Sequence, residues 1–154
     1  MHKPWIVTAA ALVMCFALPA HAQQRIGTAT AVKPEAKGSV AGQLSASSGV
    51  HANETVSTGR GGQANLQFLD NTKLSVGPTS TVRLDKFVYD PNKSKGSVVV
   101  NASRGGYRFV TGVQDSKSYE IKTPYATLGV RGTVLEIVVE KGRAGATRTR
   151  RASR

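Results

Sequence analysis

The sequence predicts an all-β domain, and three observations carry that expectation. Apolar and polar residues alternate with period two in several short runs. Ala64, Leu66 and Phe68 alternate with Asn65 and Gln67, Leu74 and Val76 with Lys73 and Ser75, and Val82 and Leu84 with Arg83 and Asp85. Glycine, proline and Asn/Asp turn signals recur about every 8–12 residues. No window from Gln23 to Glu140 carries an apolar stripe at the helical period. A twisted β-solenoid-like domain and a sandwich-like one both fit, with about 10–12 short strands.

In chain order, Gln24 to Val32 is the first strand candidate, and Lys33 to Gly38 closes it with turn chemistry. Ser39 to Ala41 is a short second element. Ser45 to Glu54 is small and polar and reads as a loop. Thr55 to Ser57 leads into Gly59-Arg60-Gly61-Gly62, a glycine-rich turn. The two runs on either side of Asp70-Asn71-Thr72 form a hairpin with one apolar face. Gly77-Pro78 turns the chain into Val82 to Tyr89, and Asp90 to Lys93 is a polar turn. Three consecutive valines, Val98 to Val100, mark a buried strand. Gly105-Gly106 bends the chain into Tyr107 to Val110. Thr111 to Ser116 is a loop, and Tyr119 and Ile121 begin the next strand.

The first residues read as an export signal. Lys3 supplies charge, Trp5 to Leu18 is apolar, Pro19 breaks the run, and Ala20-His21-Ala22 fits the cleavage rule. That apolar run falls short of the roughly 18 residues a spanning helix needs. Residues 1–22 are therefore expected to be cleaved, 23–140 to form the β domain, and no transmembrane segment to remain in the mature chain. The single cysteine, Cys15, lies inside the signal. The mature chain then has no disulfide, thiol nucleophile or cysteine metal site. The net charge is +12, and six basic residues without an acid fall between Lys141 and Arg154. Residues 141–154 hold nothing large and apolar, so they are expected to form a disordered, arginine-rich tail. The tail reads as solvated and suited to anionic surfaces. Export argues against nucleic acid as its partner.

The residues offer no catalytic, cofactor or metal set, so the chain is not expected to be an enzyme. His51 has no cysteine partner. Gly-x-Ser-x-Gly, His-Glu-x-x-His and nucleotide-loop patterns do not occur. Gly59-Arg60-Gly61-Gly62 precedes a strand rather than a helix, so it reads as a hairpin turn and not a phosphate cradle. Asp85, Asp90 and Asn92 fit no calcium-loop spacing and read as turn caps.

The stretch from Thr123 to Thr133 organises the rest. Pro124 is expected at a strand start or edge, with Thr123 extended before it. Gly129 and Gly132 interrupt an apolar run and read as a corner. Arg131, between them, reads as a structural cap on the carbonyls the bend frees. Gly132 is expected to need a backbone conformation that a Cβ disfavours. Val134, Leu135, Ile137, Val138 and Val139 then read as a strand buried on both faces.

These residues also resemble the FecR domain family. The resemblance runs from about Gly38 to Val139, through Thr55-Val56-Ser57-Thr58-Gly59 and the alternating block from Ala64 to Ser80. It continues with Gly105-Gly106-x-x-Phe109. Most specific is Thr123-Pro124-x-Ala126-Thr127-x-Gly129-Val130-Arg131-Gly132-Thr133. The resemblance implies a non-catalytic sensing or interaction module, periplasmic or secreted, that binds an envelope protein or glycan. The alternative is a structural envelope or extracellular-matrix component without a signalling role. Sigma-regulating members carry a cytoplasmic helical domain and a retained membrane helix, where this chain has a cleavable signal. Related domains continue with further strands after the Arg-Gly-Thr block. Here the strand from Val134 to Glu140 is expected to run straight into the basic tail, as a truncation or shifted reading frame would give.

Overall fold

The computed structural model describes residues 23–130 and 132–148. The expected signal, Arg131 and residues 149–154 lie outside the described residues. Among the described residues thirteen strands run in order: β1 (Arg25–Lys33), β2 (Ala36–Gly38), β3 (Gly42–Gln43), β4 (Gly49–His51), β5 (Thr55–Thr58), β6 (Gln63–Phe68) and β7 (Lys73–Val76). Then come β8 (Thr81–Asp90), β9 (Lys93–Val110), β10 (Tyr119–Lys122), β11 (Thr127–Gly129), β12 (Val134–Glu140) and β13 (Arg143–Arg148). Among the described residues the one helical element is a 3₁₀ turn at Ser116–Ser118. The all-β expectation holds.

The strands form one sheet that turns on β9. This strand has 18 residues, about three times the usual length. Its first part, up to Arg104, pairs with β8 and, in parallel, with β10. Its last part, Gly105 to Val110, pairs with β7 and β12. The front wing is therefore β3-β2-β5-β8-β9-β10-β11, and the back wing is β4-β1-β6-β7-β9-β12-β13. Aromatic pairs join the two wings across a single core. Phe68 of β6 meets Phe87 of β8 at 5.7 Å between ring centroids, and Phe109 of β9 meets Tyr119 of β10 edge-on at 5.7 Å.

A polar knot holds the point where β9 changes wings. Gly105 has φ +110°, and a Cβ there would strike Ser80. The Ser80 hydroxyl donates to the Pro78 carbonyl at 2.9 Å and accepts the Gly106 amide at 3.2 Å. Thr58 Oγ1 donates to the Gly77 carbonyl at 2.6 Å and accepts the Ser80 amide at 3.0 Å. The Tyr107 hydroxyl accepts the Thr81 amide and lies against the carbonyls of Thr81 and Arg104. These groups satisfy backbone atoms that the bend removes from the ladder.

Several expectations need correction. The second element is Ala36–Gly38, while Ser39 to Ala41 is a turn. The cause is distant in sequence: buried Glu54 accepts the Val40 and Ala41 amides on Oε1, at 3.3 and 2.9 Å. β4 lies inside the expected loop from Ser45 to Glu54. The turn at Gly59 to Gly62 joins strands of opposite wings rather than closing a hairpin. β12 is buried on one face only, with Ile137 and Val139 inward and Val138 at 51% exposure. Val99 is likewise only half-buried between Val98 and Val100. The tail is not disordered from Lys141. Gly142, at φ +85°, turns the chain into β13, which pairs with β12 from Arg143 opposite Glu140 to Arg148 opposite Leu135. The ladder with β12 satisfies the backbone groups of this strand.

Gly105 and Gly106 should respond differently to a methyl group. Gly105→Ala adds positive-φ strain of about 1–3 kcal/mol and a clash with Ser80. A Cβ at Gly106 meets nothing within 4 Å. Thermal melts should therefore show a clear loss for Gly105→Ala and little change for Gly106→Ala. Equal melting temperatures for the two variants would refute the bend as described.

Candidate functional site

The stretch from Thr123 to Thr133 forms a hairpin followed by a corner. β10 is held parallel to β9, with Tyr119 opposite Val98 and Lys122 opposite Asn101. β11 folds back on β10, with Lys122 opposite Thr127 and Glu120 opposite Gly129. Among the described residues β11 pairs with nothing else and is an edge. Pro124 sits in the turn between these strands, not at a strand start. Its fixed φ and missing donor suit that turn. The Thr123 side chain closes the turn by accepting the amides of Tyr125 and Ala126, at 3.3 and 3.0 Å. The Thr123 amide donates to the Ala126 carbonyl at 2.8 Å.

Pro124, Tyr125, Ala126, Thr127 and Gly129 are all exposed. Val130 is the anchor: its side chain is buried in the core, and its amide donates to the Tyr119 carbonyl at 3.2 Å. Gly132 has φ +121°, the left-handed conformation expected of it. Beyond it, the Thr133 carbonyl accepts the Thr111 amide at 3.0 Å. Tyr125 reaches the other wing, where its hydroxyl accepts the Gly142 amide at 2.6 Å. The capping role expected of Arg131 lies outside the described residues.

A cleft of about 240 Å³ opens along the β11 edge, between the 3₁₀ turn and β11. Ser116, Lys117, Tyr119, Glu120, Thr127, Gly129 and Val130 line it. The lining offers hydroxyls, an ammonium and a carboxylate, next to the unpaired backbone of an edge strand. Such a surface can hold an extended segment or a polar ligand.

A buried carboxylate supports this cleft from behind. Asp70 Oδ2 accepts Thr72 Oγ1 at 2.8 Å, Gln114 Nε2 at 2.7 Å and the Tyr119 hydroxyl at 3.1 Å. Its Oδ1 accepts the Thr72 amide at 3.0 Å. The Tyr119 hydroxyl accepts the amides of Gly112 and Gln114 in turn. The back-wing turn, the loop after β9 and the start of β10 are thus tied through one charged group.

The turn pattern of Asp70-Asn71-Thr72 does not by itself mark Asp70 as buried, nor does the small polar run ending at Glu54 mark Glu54. A signal was present. Asp70 and Thr72 continue the inward phase of Ala64, Leu66, Phe68, Leu74 and Val76, and Glu54 continues that of Val56 and Thr58. Asp85 and Asp90 have structural partners: Asp85 pairs with Arg83 at 3.0 Å, and Asp90 accepts the Asn92 amide at 2.9 Å. His51 lies with Nδ1 at 3.4 Å from Glu54 Oε2.

The family described as FecR protein matches residues 54–150. The chain belongs to the FecR family. The matched range begins at Glu54, whose carboxylate fixes the turn before β5, and it covers the wing-changing strand, the hairpin and β13. Neither a curated protein nor a solved structure matches the chain. In this FecR-family chain, no helix among the described residues is long and apolar enough to cross a membrane.

Two measurements test the site's architecture. Gly132→Val should cost about 1–3 kcal/mol through backbone strain, read as a lower melting temperature. A variant that melts with wild type would remove the corner. The second measurement concerns pH. Burial pushes the hydroxyls of Tyr107 and Tyr119 above their ordinary value. The unfolded chain releases these protons near pH 10, so the folded state holds them longer. Stability from this source is fully present below about pH 10 and is lost as pH rises through the folded values. Melting temperature should fall in that alkaline window, together with a late rise in phenolate absorbance. A melting temperature unchanged across the window would contradict it.

Proposed function

We propose that this FecR-family chain is an exported, non-catalytic sensing or interaction module, and that it engages an envelope partner through the β10–β11 hairpin. The observation that carries the reading is the exposure of the hairpin. The most specific block of family residues lies largely in solvent, on an edge strand set by a buried anchor and a glycine corner. A block needed only for packing would be buried. Sequence-specific residues on a rigidly held surface turn are the usual form of a recognition site. Membership of a regulatory family supports the same reading, as does the export signal read from the first 22 residues.

The test compares wild type with a variant altered only at the tip, Tyr125→Ala with Ala126→Asp. Both positions are exposed, and the bond lost, from the Gly142 amide to the Tyr125 hydroxyl, is solvent-facing, so the variant should melt within about 1 kcal/mol of wild type. Wild type should capture one stoichiometric partner from envelope extract, and the tip variant should lose it. Capture that survives the change would move recognition away from the hairpin. Co-sedimentation of both proteins with cell-wall material would favour a structural role. N-terminal sequencing of the exported protein should begin at Gln23, in periplasm or medium. A chain retaining Met1 in the membrane fraction would contradict the export reading.

A further inference from the structure

The outer face of the front wing carries charge that the fold does not use. Strand register places its outward side chains in rows that run across the strands. One row is Gln43, Lys37, Ser57, Thr81 and Arg104, on β3, β2, β5, β8 and β9. The next is Thr55, Arg83, Asn101, Lys122 and Thr127, on β5, β8, β9, β10 and β11. Lys86, opposite Val99, starts a third. Neighbouring strands lie about 4.8 Å apart, so Lys37 and Arg104 stand about 14 Å apart and Arg83 and Lys122 about 10 Å.

Two of these cations have partners on their own strands. Arg83 pairs with Asp85 at 3.0 Å, and Lys122 with Glu120 at 3.4 Å. Both pairs are solvent-facing, where an ion pair holds its members weakly. Lys37, Lys86 and Arg104 form no ion pair among the described residues. The nearby Glu35 carboxylate accepts the Gly61 amide at 3.1 Å. The first row crosses a cleft of about 390 Å³ lined by Glu35, Lys37, Gln43, Ser57, Thr58 and Gly59.

We propose that this face binds an acidic polysaccharide laid across the strands. The proposal rests on the interaction-module reading and names a ligand class for a second surface, which meets the hairpin's strands at Lys122 and Thr127 but not its tip. Cations two and three strands apart match a polymer with repeated negative charges, whereas a small anion would meet only one of them. Between the cations stand Gln43, Ser57, Thr81 and Asn101, whose amides and hydroxyls can exchange hydrogen bonds with sugar hydroxyls. Neither row carries an aromatic ring, the usual platform for unpaired bases. Neither carries a large apolar side chain to insert into a bilayer. Without Lys3 of the signal the full chain's +12 becomes +11, and this charge adds long-range attraction.

The experiment titrates the mature protein with polygalacturonate, dextran and vesicles containing phosphatidylglycerol. Polygalacturonate should bind, more weakly as salt rises, while dextran and the vesicles should not. Lys37→Glu with Arg104→Glu should weaken binding about tenfold or more while the melting temperature stays near that of wild type. Lys33→Glu with Lys73→Glu makes the same charge change on exposed residues of the back wing and should leave binding within about threefold. If the first reversal impairs folding, Lys37→Gln with Arg104→Gln serves and should still weaken binding. Tyr125→Ala alone, which adds no charge beside Lys122 and Thr127, should bind polygalacturonate like wild type, which separates this site from the hairpin tip. Absence of wild-type binding, equal loss in the front-wing and back-wing reversals, or preference for the vesicles would each overturn the proposal.

Discussion

One strand must serve two wings, and the backbone can turn between them only where Gly105 leaves room for Ser80. β7 and β8 are neighbours in sequence, yet they pair with opposite ends of β9. Gly77-Pro78 separates them, and the Gly77 amide donates to the Gly106 carbonyl at 2.8 Å. The crossing of β9 and the connection from β7 to β8 therefore form one junction. Thr58, from the strand beyond β8, bonds both sides of the Gly77–Ser80 turn. A displaced Ser80 would disturb strands of both wings together.

Buried carboxylates do comparable work farther out. Removing an isolated charge from water is costly, so such groups persist inside proteins only when hydrogen bonds surround them. Glu54 and Asp70 are fully buried, and each gathers donors from different segments. Glu54 holds the turn after β2 and the turn after β4. Asp70 holds the β6–β7 turn, the loop after β9 and the start of β10. Through Tyr119, Asp70 bears on the strand that supports the exposed hairpin. The edge is thus presented by a framework fixed at several points rather than by a free loop.

The periodic parts of this architecture were legible in the sequence. The β6–β7 hairpin, the alternation in β8, the bend at Gly105-Gly106 and the positive φ of Gly132 follow from local pattern and glycine chemistry. Ser39 to Ala41 was not, because its turn is set by Glu54, 13–14 residues away. β13 was not, because a run of arginine, alanine and glycine has little side-chain reason to form a strand. Its pairing with β12 lies in backbone geometry that composition does not report. The pairing order was also hidden, since periodicity tells which side chains face inward but not which strands become neighbours. For the hairpin, residue identity marked the stretch, and only the fold revealed that most of it faces solvent.

The central place of β9 has a consequence for how the protein comes into being. Ribosomal synthesis delivers the N-terminus first, at about 5–20 residues per second. β7 has no partner on its outer edge until residues 107–110 arrive, and β8 waits for residues 93–104. Every nascent chain therefore passes through lengths at which two open edges are present and neither wing can close. Polar and basic residues on these strands, Lys73, Ser75, Arg83 and Lys86, discourage pairing with other copies during that interval. Arrival of a single segment, from Lys93 to Val110, removes both hazards.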